Sequence, residues 1–185
     1  MSVMRYILAS GSLRRIELIH LTGYSFEPIK PDVLEVIDQS LTAEEAAIDL
    51  AMQKLKATKY NSEDVVLACD TIVSCDGNFL GKPLNEGDAY KMLQCINGKN
   101  HRVVTGCALY VNNKIETFFG EAEVSFNHMS DEEIKAYINT QEPFGKAGAY
   151  AIQGYAAKHI SQLKGDYYSV MGLPIAKLYN YLKEN

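Results

Sequence analysis

The segment Val65-Val66-Leu67-Ala68-Cys69-Asp70-Thr71-Ile72-Val73-Ser74 is the strongest constraint in this chain, because its apolar residues do not alternate with polar ones. A strand with one wet face alternates. A strand without alternation is covered on both sides and belongs in the middle of a sheet flanked by further layers. One carboxylate, Asp70, interrupts the run. A buried carboxylate without a partner is costly, so Asp70 requires a cation, a metal ion or a cluster of donors. Two readings follow: a salt-bridged or backbone-capping aspartate, or a metal ligand or general base.

Around this strand, segments of strand and helix period alternate. A strand is expected near Val3–Ala9 and a helix over Leu13–Leu21, with Ser12 as N-cap and Gly23 as its stop. Tyr24–Ile29 reads as extended. Thr42 and Glu45 have the spacing of a capping box, opening a helix that runs to about Thr58. Asp76-Gly77-Asn78 reads as a turn, and Asn85 with Asp88 starts a helix that Gly98 ends. Arg102–Val111 and Ile115–Asn127 read as strands joined by a tight hairpin at Asn112-Asn113. An apparent change of parity near Gly120 suggests a bulge in the second. A helix follows Ser130-Asp131-Glu132-Glu133, and Pro174 is expected at the first position of the last helix. The pattern predicts an α/β protein with a mixed sheet, in one domain spanning residues 1–185.

Two cations stand where an isolated helix does not favour them. Arg14 and Arg15 fall in the first turn after Ser10-Gly11-Ser12, at the positive end of the macrodipole, where each costs about 0.3–1 kcal/mol uncompensated. Small residues, free N–H groups and two cations describe an anion site, unless both arginines are simply solvated. Lys54 is a second anomaly. Ala43, Ala47, Leu50 and Ala51 form an apolar stripe, and 100° per residue places Lys54 within it. It either snorkels to the edge or meets an anion. Lys82, in Gly81-Lys82-Pro83, and Lys146, in the glycine-rich stretch 145–154, add cations in stiff or closely approachable loops. Neither loop has the spacing of a Walker A or dinucleotide fingerprint. Cations for phosphates, with Asp70 and Glu35 for a hard divalent cation, make the layout of nucleotide hydrolysis or phosphoryl transfer.

Composition narrows the classes. The formal net charge of −5 argues against a general binder of nucleic acid polymers, whose surface would be basic. No apolar stretch approaches the roughly 20 residues of a membrane helix. The first residues lack the apolar core of a signal peptide, so a cytoplasmic location is expected. Cys69, Cys75, Cys95 and Cys107 show no metal-ligand spacing and are expected as buried thiols. His20, His101, His128 and His159 are scattered and read as structural.

The ordered set of these motifs resembles the Maf (septum-formation-inhibitor-like) nucleotide pyrophosphatases. The matching stretches are Ile7–Leu18, Ala68–Val73, Gly81-Lys82-Pro83, Asn97–Gly106, Lys146–Gly154 and Gly165–Pro174, which cover the chain from end to end. The resemblance implies an elongated α/β fold like that of the inosine-triphosphate pyrophosphatases, with an active-site cleft between two lobes. It also implies a homodimer, and hydrolysis of nucleoside triphosphates to monophosphate and pyrophosphate with a divalent metal (Mg or Mn). By resemblance Asp70 is the catalytic carboxylate and proton acceptor, and Glu35 matches another polar site position; that the two hold the metal is read from their charge. Arg14, Thr71 and Gln153 match the positions that mark the branch acting on dTTP and UTP. Ser10, Arg15, Lys54 and Lys82 match other polar site positions, read with Arg14 as phosphate contacts. The alternatives are a 7-methyl-GTP pyrophosphatase, or a nucleotide-binding regulator of septum formation without significant turnover. Leu13 stands where the family usually has proline, and Lys54-Leu55 where it usually has Lys-Ala. Leucine can take proline's φ at that position, so the site is expected to survive with less rigidity.

Overall fold

A computed structural model describes residues 4–185; Val3, expected at the head of the first strand, lies outside them. The chain runs β1 (Tyr6–Leu8), α1 (Leu13–Ile19), β2 (Phe26–Pro28), α2 (Ala43–Ala57), β3 (Val65–Cys75), β4 (Asn78–Leu80), α3 (Glu86–Ile96), β5 (Asn100–Val111) and β6 (Lys114–Phe126). It continues through α4 (Asp131–Asn139), β7 (Ile160–Gly165), α5 (Tyr167–Met171) and α6 (Ile175–Glu184). The seven strands form one mixed sheet in the order β2-β1-β3-β5-β6-β7, with β4 also paired to β3. β1 runs parallel to both neighbours, and the other pairings are antiparallel.

The central position expected of Val65–Ser74 is what β3 adopts, and both of its faces are covered. On one face α2 packs its alanine-rich stripe, with Ala51 and Leu55 against Val66, Ala68 and Ala108, and Ala47 and Leu50 against Ile72 and Val104. The small side chains let this helix lie unusually close. At Gly106 of β5 a Cβ atom would sit 2.3 Å from the Ala47 carbonyl carbon, so only glycine fits there. The opposite face carries two clusters. Leu18, Ile19, Leu178 and Leu182 from α1 and α6 cover Leu67, Cys69 and Leu109. Farther along, Leu93, Ile96, Ile134 and Ile138 from α3 and α4 cover Val73, Val103 and Val124.

Most local signals hold. Thr42 and Glu45 make the reciprocal capping box of α2, and Ser130 with Glu133 makes another on α4. Asn112 and Asn113 take positive φ in the two-residue β5–β6 turn. Four expectations are corrected. α1 ends at Ile19 and tightens into a 3-10 turn over His20–Thr22 before Gly23. Ser12 occupies the N-cap position without a side-chain cap; the Ser10 Oγ accepts from the Ser12 N–H instead. Pro174 sits at the N-cap of α6, one position earlier than expected. No bulge lies at Gly120, since β5 and β6 stay in register from Asn100↔Ser125 to Val111↔Lys114. Phe118 and Phe119 are both apolar because both sheet faces are covered there, which imitates a parity change. Gly120 answers a different need: a Cβ would lie 2.1 Å from Ser169 Oγ and 2.6 Å from Pro174 Cβ, where the α5–α6 corner presses on the sheet. The irregularity in β6 comes later, at Ser125/Phe126 against β7.

Candidate active site

A gap in the sheet creates the site. β1 pairs with β3 only over Val65–Leu67, and β4 takes the same edge only from Val73. Between them this edge of β3 has no strand partner among the described residues, and Asp70 lies in the middle of the gap. Odd-numbered residues of β3 turn their backbone polar groups toward this edge: Val65 N donates to Arg5 O, and Leu67 O accepts from Ala9 N. Thr71 N–H points the same way, meets no strand, and donates to Asp70 Oδ1 at 2.7 Å. The aspartate thus satisfies a backbone donor that the missing strand leaves free.

A cavity of about 410 Å³ opens here, between the β1–α1 turn, the Lys30–Glu35 strap, α2, β3 and the 145–152 loop. Its wall carries six cationic side chains, Arg14, Arg15, Lys30, Lys54, Lys82 and Lys146, against two carboxylates, Glu35 and Asp70. The chain as a whole has a net charge of −5, so this concentration of positive charge is local. Ser10, Gly11, Ser12 and Leu13 form one side. Val73, Val103, Tyr150, Ile152 and Val170 supply an apolar wall.

The cations divide by what holds them. Lys54 is 7% exposed and Asp70 5%, and Lys54 Nζ lies 2.6 Å from Asp70 Oδ2 and 3.1 Å from Glu35 Oε1. The anion that Lys54 meets on the apolar face of α2 is therefore a pair of protein carboxylates. Burial pushes the Asp70 carboxyl up, but the charges of Lys54 and Arg15 and the Thr71 N–H outweigh it and hold its pKa below the ordinary range. Asp70 is ionised at neutral pH. Arg15 is also buried: Nε donates to Gly172 O at 2.7 Å and Nη2 to Thr71 Oγ1 at 2.9 Å. Thr71 Oγ1 in turn meets Thr105 Oγ1 at 2.8 Å, so Arg15 ties the α5–α6 corner to β3 beside Asp70.

Arg14, Lys30, Lys82 and Lys146 form no ion pair among the described residues. Burial and then the neighbouring Arg15 charge lower the pKa of Arg14; burial and then Arg14 lower that of Lys146. Crowded, partly desolvated cations of this kind are relieved by an anion.

Nearly every residue expected at the site lines this one cavity: Ser10, Arg14, Arg15, Glu35, Lys54, Asp70, Thr71, Lys82 and Lys146. Gln153 does not. It is exposed on the turn after Ile152 and lies off the cavity wall. That turn is held from behind, since Tyr155 N–H donates to Glu142 Oε2 at 2.9 Å, Tyr137 OH to Glu142 Oε1 at 2.8 Å, and Ala151 N–H to Tyr137 OH at 3.2 Å. Lys30 was not expected. The available signal was its place in Pro28-Ile29-Lys30-Pro31, a cation in a segment stiffened by two prolines. The histidines stay outside the cavity wall, and His101 is buried against Tyr150 with Nε2 2.7 Å from its hydroxyl.

The donor set bears on metal binding. Asp70 Oδ2 is buried, and the Lys54 ammonium at 2.6 Å is its one polar partner among the described residues. Glu35 Oε1 lies 3.1 Å from the same ammonium. Among the described residues no cluster of three or more His, Cys, Asp or Glu side chains suits a metal ion. One or two carboxylates completed by phosphate oxygens and water fit a magnesium-like ion, and do not fit an ion caged by protein alone.

Comparison with known proteins gives the family and the fold. The family model described as "Maf-like protein" matches residues 5–185. The chain is 45% identical over 181 residues to a protein of Bacillus cereus (strain AH187) named "dTTP/UTP pyrophosphatase", covering 97% of this chain and 95% of that one. It is 44% identical over the same length to one of that name from Bacillus anthracis (strain CDC 684 / NRRL 3495). In three dimensions it resembles a HAM1 protein from Coxiella burnetii with a TM-score of 0.56 at 16% identity, covering 99% of this chain and 100% of that one. The Ham1 protein of Staphylococcus aureus gives 0.52 at 14% identity, covering 97% and 98%. These two likenesses establish the fold alone.

Proposed function

Because the chain belongs to the Maf-like protein family, we propose that it hydrolyses dTTP and UTP to the nucleoside monophosphate and pyrophosphate. The observation that carries this reading is the cavity itself: an ionised, buried aspartate among six cations, in a protein of net negative charge. A polyphosphate is the ligand chemistry that relieves such crowding, and the names of the Bacillus relatives supply its nucleoside.

In this mechanism Arg14 and Lys82, which form no ion pair among the described residues, bind the triphosphate over the Ser10–Ser12 turn. Asp70 stands at the floor of the cavity, takes the proton of the attacking water and directs it at the α-phosphorus. The bond between that phosphorus and the α,β-bridging oxygen breaks, and the electron pair leaves on pyrophosphate. The cationic wall stabilises the charge that develops there. A magnesium or manganese ion arriving with the nucleotide would be held by Asp70, Glu35 and phosphate oxygens, and would supply further neutralisation of that charge. To hold it, Asp70 and Glu35 would turn toward the ion oxygens that now face Lys54. Arg15 acts by holding Thr71 in place. Arg14, Thr71 and Gln153 select the base, Gln153 from the turn that follows the cavity residue Ile152. Residues 1–185 act as one domain, in the cytoplasm and as a homodimer. A role in septum formation would follow from depletion of these nucleotides.

The test is pyrophosphate release from a panel of nucleoside triphosphates, including 7-methyl-GTP, with magnesium or manganese. Preference for dTTP and UTP, with pyrophosphate as product, supports the reading. Release of orthophosphate, preference for 7-methyl-GTP, or binding without turnover overturns it.

A further inference from the structure

Lys30, like Arg14 and Lys82, is a cavity cation without an ionic partner among the described residues. Lys54 is engaged by Asp70 and Glu35, and Arg15 by Gly172 and Thr71. Among the described residues the Lys30 ammonium has neither a carboxylate within 4 Å nor a hydrogen bond. Its aliphatic stem lies close to Gly11. A Cβ added to Gly11 would stand 3.1 Å from Lys30 Cδ and 3.2 Å from Cγ, so the aliphatic stem already lies across the backbone of the Ser10–Ser12 turn. The backbone beneath it is anchored where Ile29 N–H donates to Leu8 O at 2.9 Å. A stem that lies along backbone and a head without a partner leave this cation available to an anion in the cavity.

We propose that Lys30 is a further polyphosphate-binding residue, which grips the part of the substrate that departs as pyrophosphate. Resting on the pyrophosphatase reading above, this assigns a contact to a residue outside the motifs that carry the family resemblance. Asp70 is buried at the cavity floor, whereas Lys30 is exposed at its rim, on the wall that also carries the Ser10–Ser12 turn. With the α-phosphorus beside Asp70, one end of the substrate extends toward that rim. The uncharged nucleoside suits the apolar wall of Val73, Val103 and Tyr150, which leaves the anionic tail for Lys30.

The experiment uses Lys30→Met, which keeps the stem and removes the charge, and Lys30→Arg, which keeps the charge. Steady-state constants for dTTP and UTP are measured beside calorimetric titration with inorganic tripolyphosphate. For Lys30→Met, KM and the tripolyphosphate Kd should both rise about five- to tenfold with kcat within about twofold, as for loss of one partly exposed charge-assisted contact. Lys30→Arg should remain near the parent. An unchanged tripolyphosphate Kd in Lys30→Met overturns the proposal even if turnover is normal. If the parent fails to hydrolyse nucleotides but binds tripolyphosphate in a Lys30-dependent way, the assignment of Lys30 stands and the activity reading falls.

Discussion

Replacing Lys54 by methionine tests how the site holds its aspartate. Lys54 Nζ lies 2.6 Å from Asp70 Oδ2, both side chains are 8% exposed, and that oxygen has no directed hydrogen bond from elsewhere. Methionine preserves most of the volume and leaves Asp70 with the Arg15 charge and the Thr71 N–H alone. Breaking one side of a buried pair typically costs about 3–5 kcal/mol, because the remaining charge stays desolvated. Arg15 still helps, so about 3 kcal/mol is expected at pH 7. Glu35, 36% exposed, contributes little to this figure. Asp70→Asn in the same background removes the orphaned charge, so the double variant should recover much of the loss. The coupling energy in a double-mutant cycle should be roughly 2–3 kcal/mol. The assay is urea unfolding of the four proteins at pH 7. The single Lys54→Met variant should also gain stability relative to its parent as pH falls, because its Asp70 has lost the charge that held the pKa down. Losses that simply add, with coupling near zero, would refute the claim that this pair is an energetic unit.

Gly106→Ala should lower the melting temperature sharply, since its Cβ would meet the α2 backbone at 2.3 Å; overpacking of about 1–3 kcal/mol or more is expected by calorimetry. Burial lowers the His101 pKa to about 4 from 6.5, so the folded protein keeps the neutral ring while the unfolded chain takes up a proton. That contribution is complete above pH 6.5 and lost as pH falls toward 4, by about 3 kcal/mol in total. In His101→Gln, plots of the urea midpoint against pH should lack this slope. Arg15→Met removes the donors to Gly172 O and Thr71 Oγ1, and should destabilise by about 1–3 kcal/mol in urea unfolding.

The sequence was most legible where local chemistry decides the outcome. The non-alternating run around Asp70 required a central strand, and the capping pairs at Thr42 and Ser130 fixed two helix starts. The cavity residues were legible as anomalies, since a lysine in an apolar stripe and an aspartate in a buried strand each demand a partner. That they are each other's partner was not legible, because it depends on how closely α2 approaches the sheet at Gly106. β7 was missed for a related reason. Ile160–Gly165 is an edge strand with mostly polar, exposed residues and no period to read. The false bulge at Gly120 arose because adjacent phenylalanines can face two covered surfaces without breaking register. Lys30 escaped notice because a lone lysine beside prolines looks like any surface loop until Gly11 is seen beneath its stem.

The central claim is that Asp70 performs the chemistry while the surrounding cations hold the polyphosphate. Its most direct test is Asp70→Asn, assayed for pyrophosphate release from dTTP and UTP alongside calorimetric binding of tripolyphosphate. The account predicts that turnover falls by about a hundredfold or more while binding persists or tightens, since a negative charge has left a site built for anions. Turnover close to the parent's, or loss of binding with the chemistry intact, would contradict it.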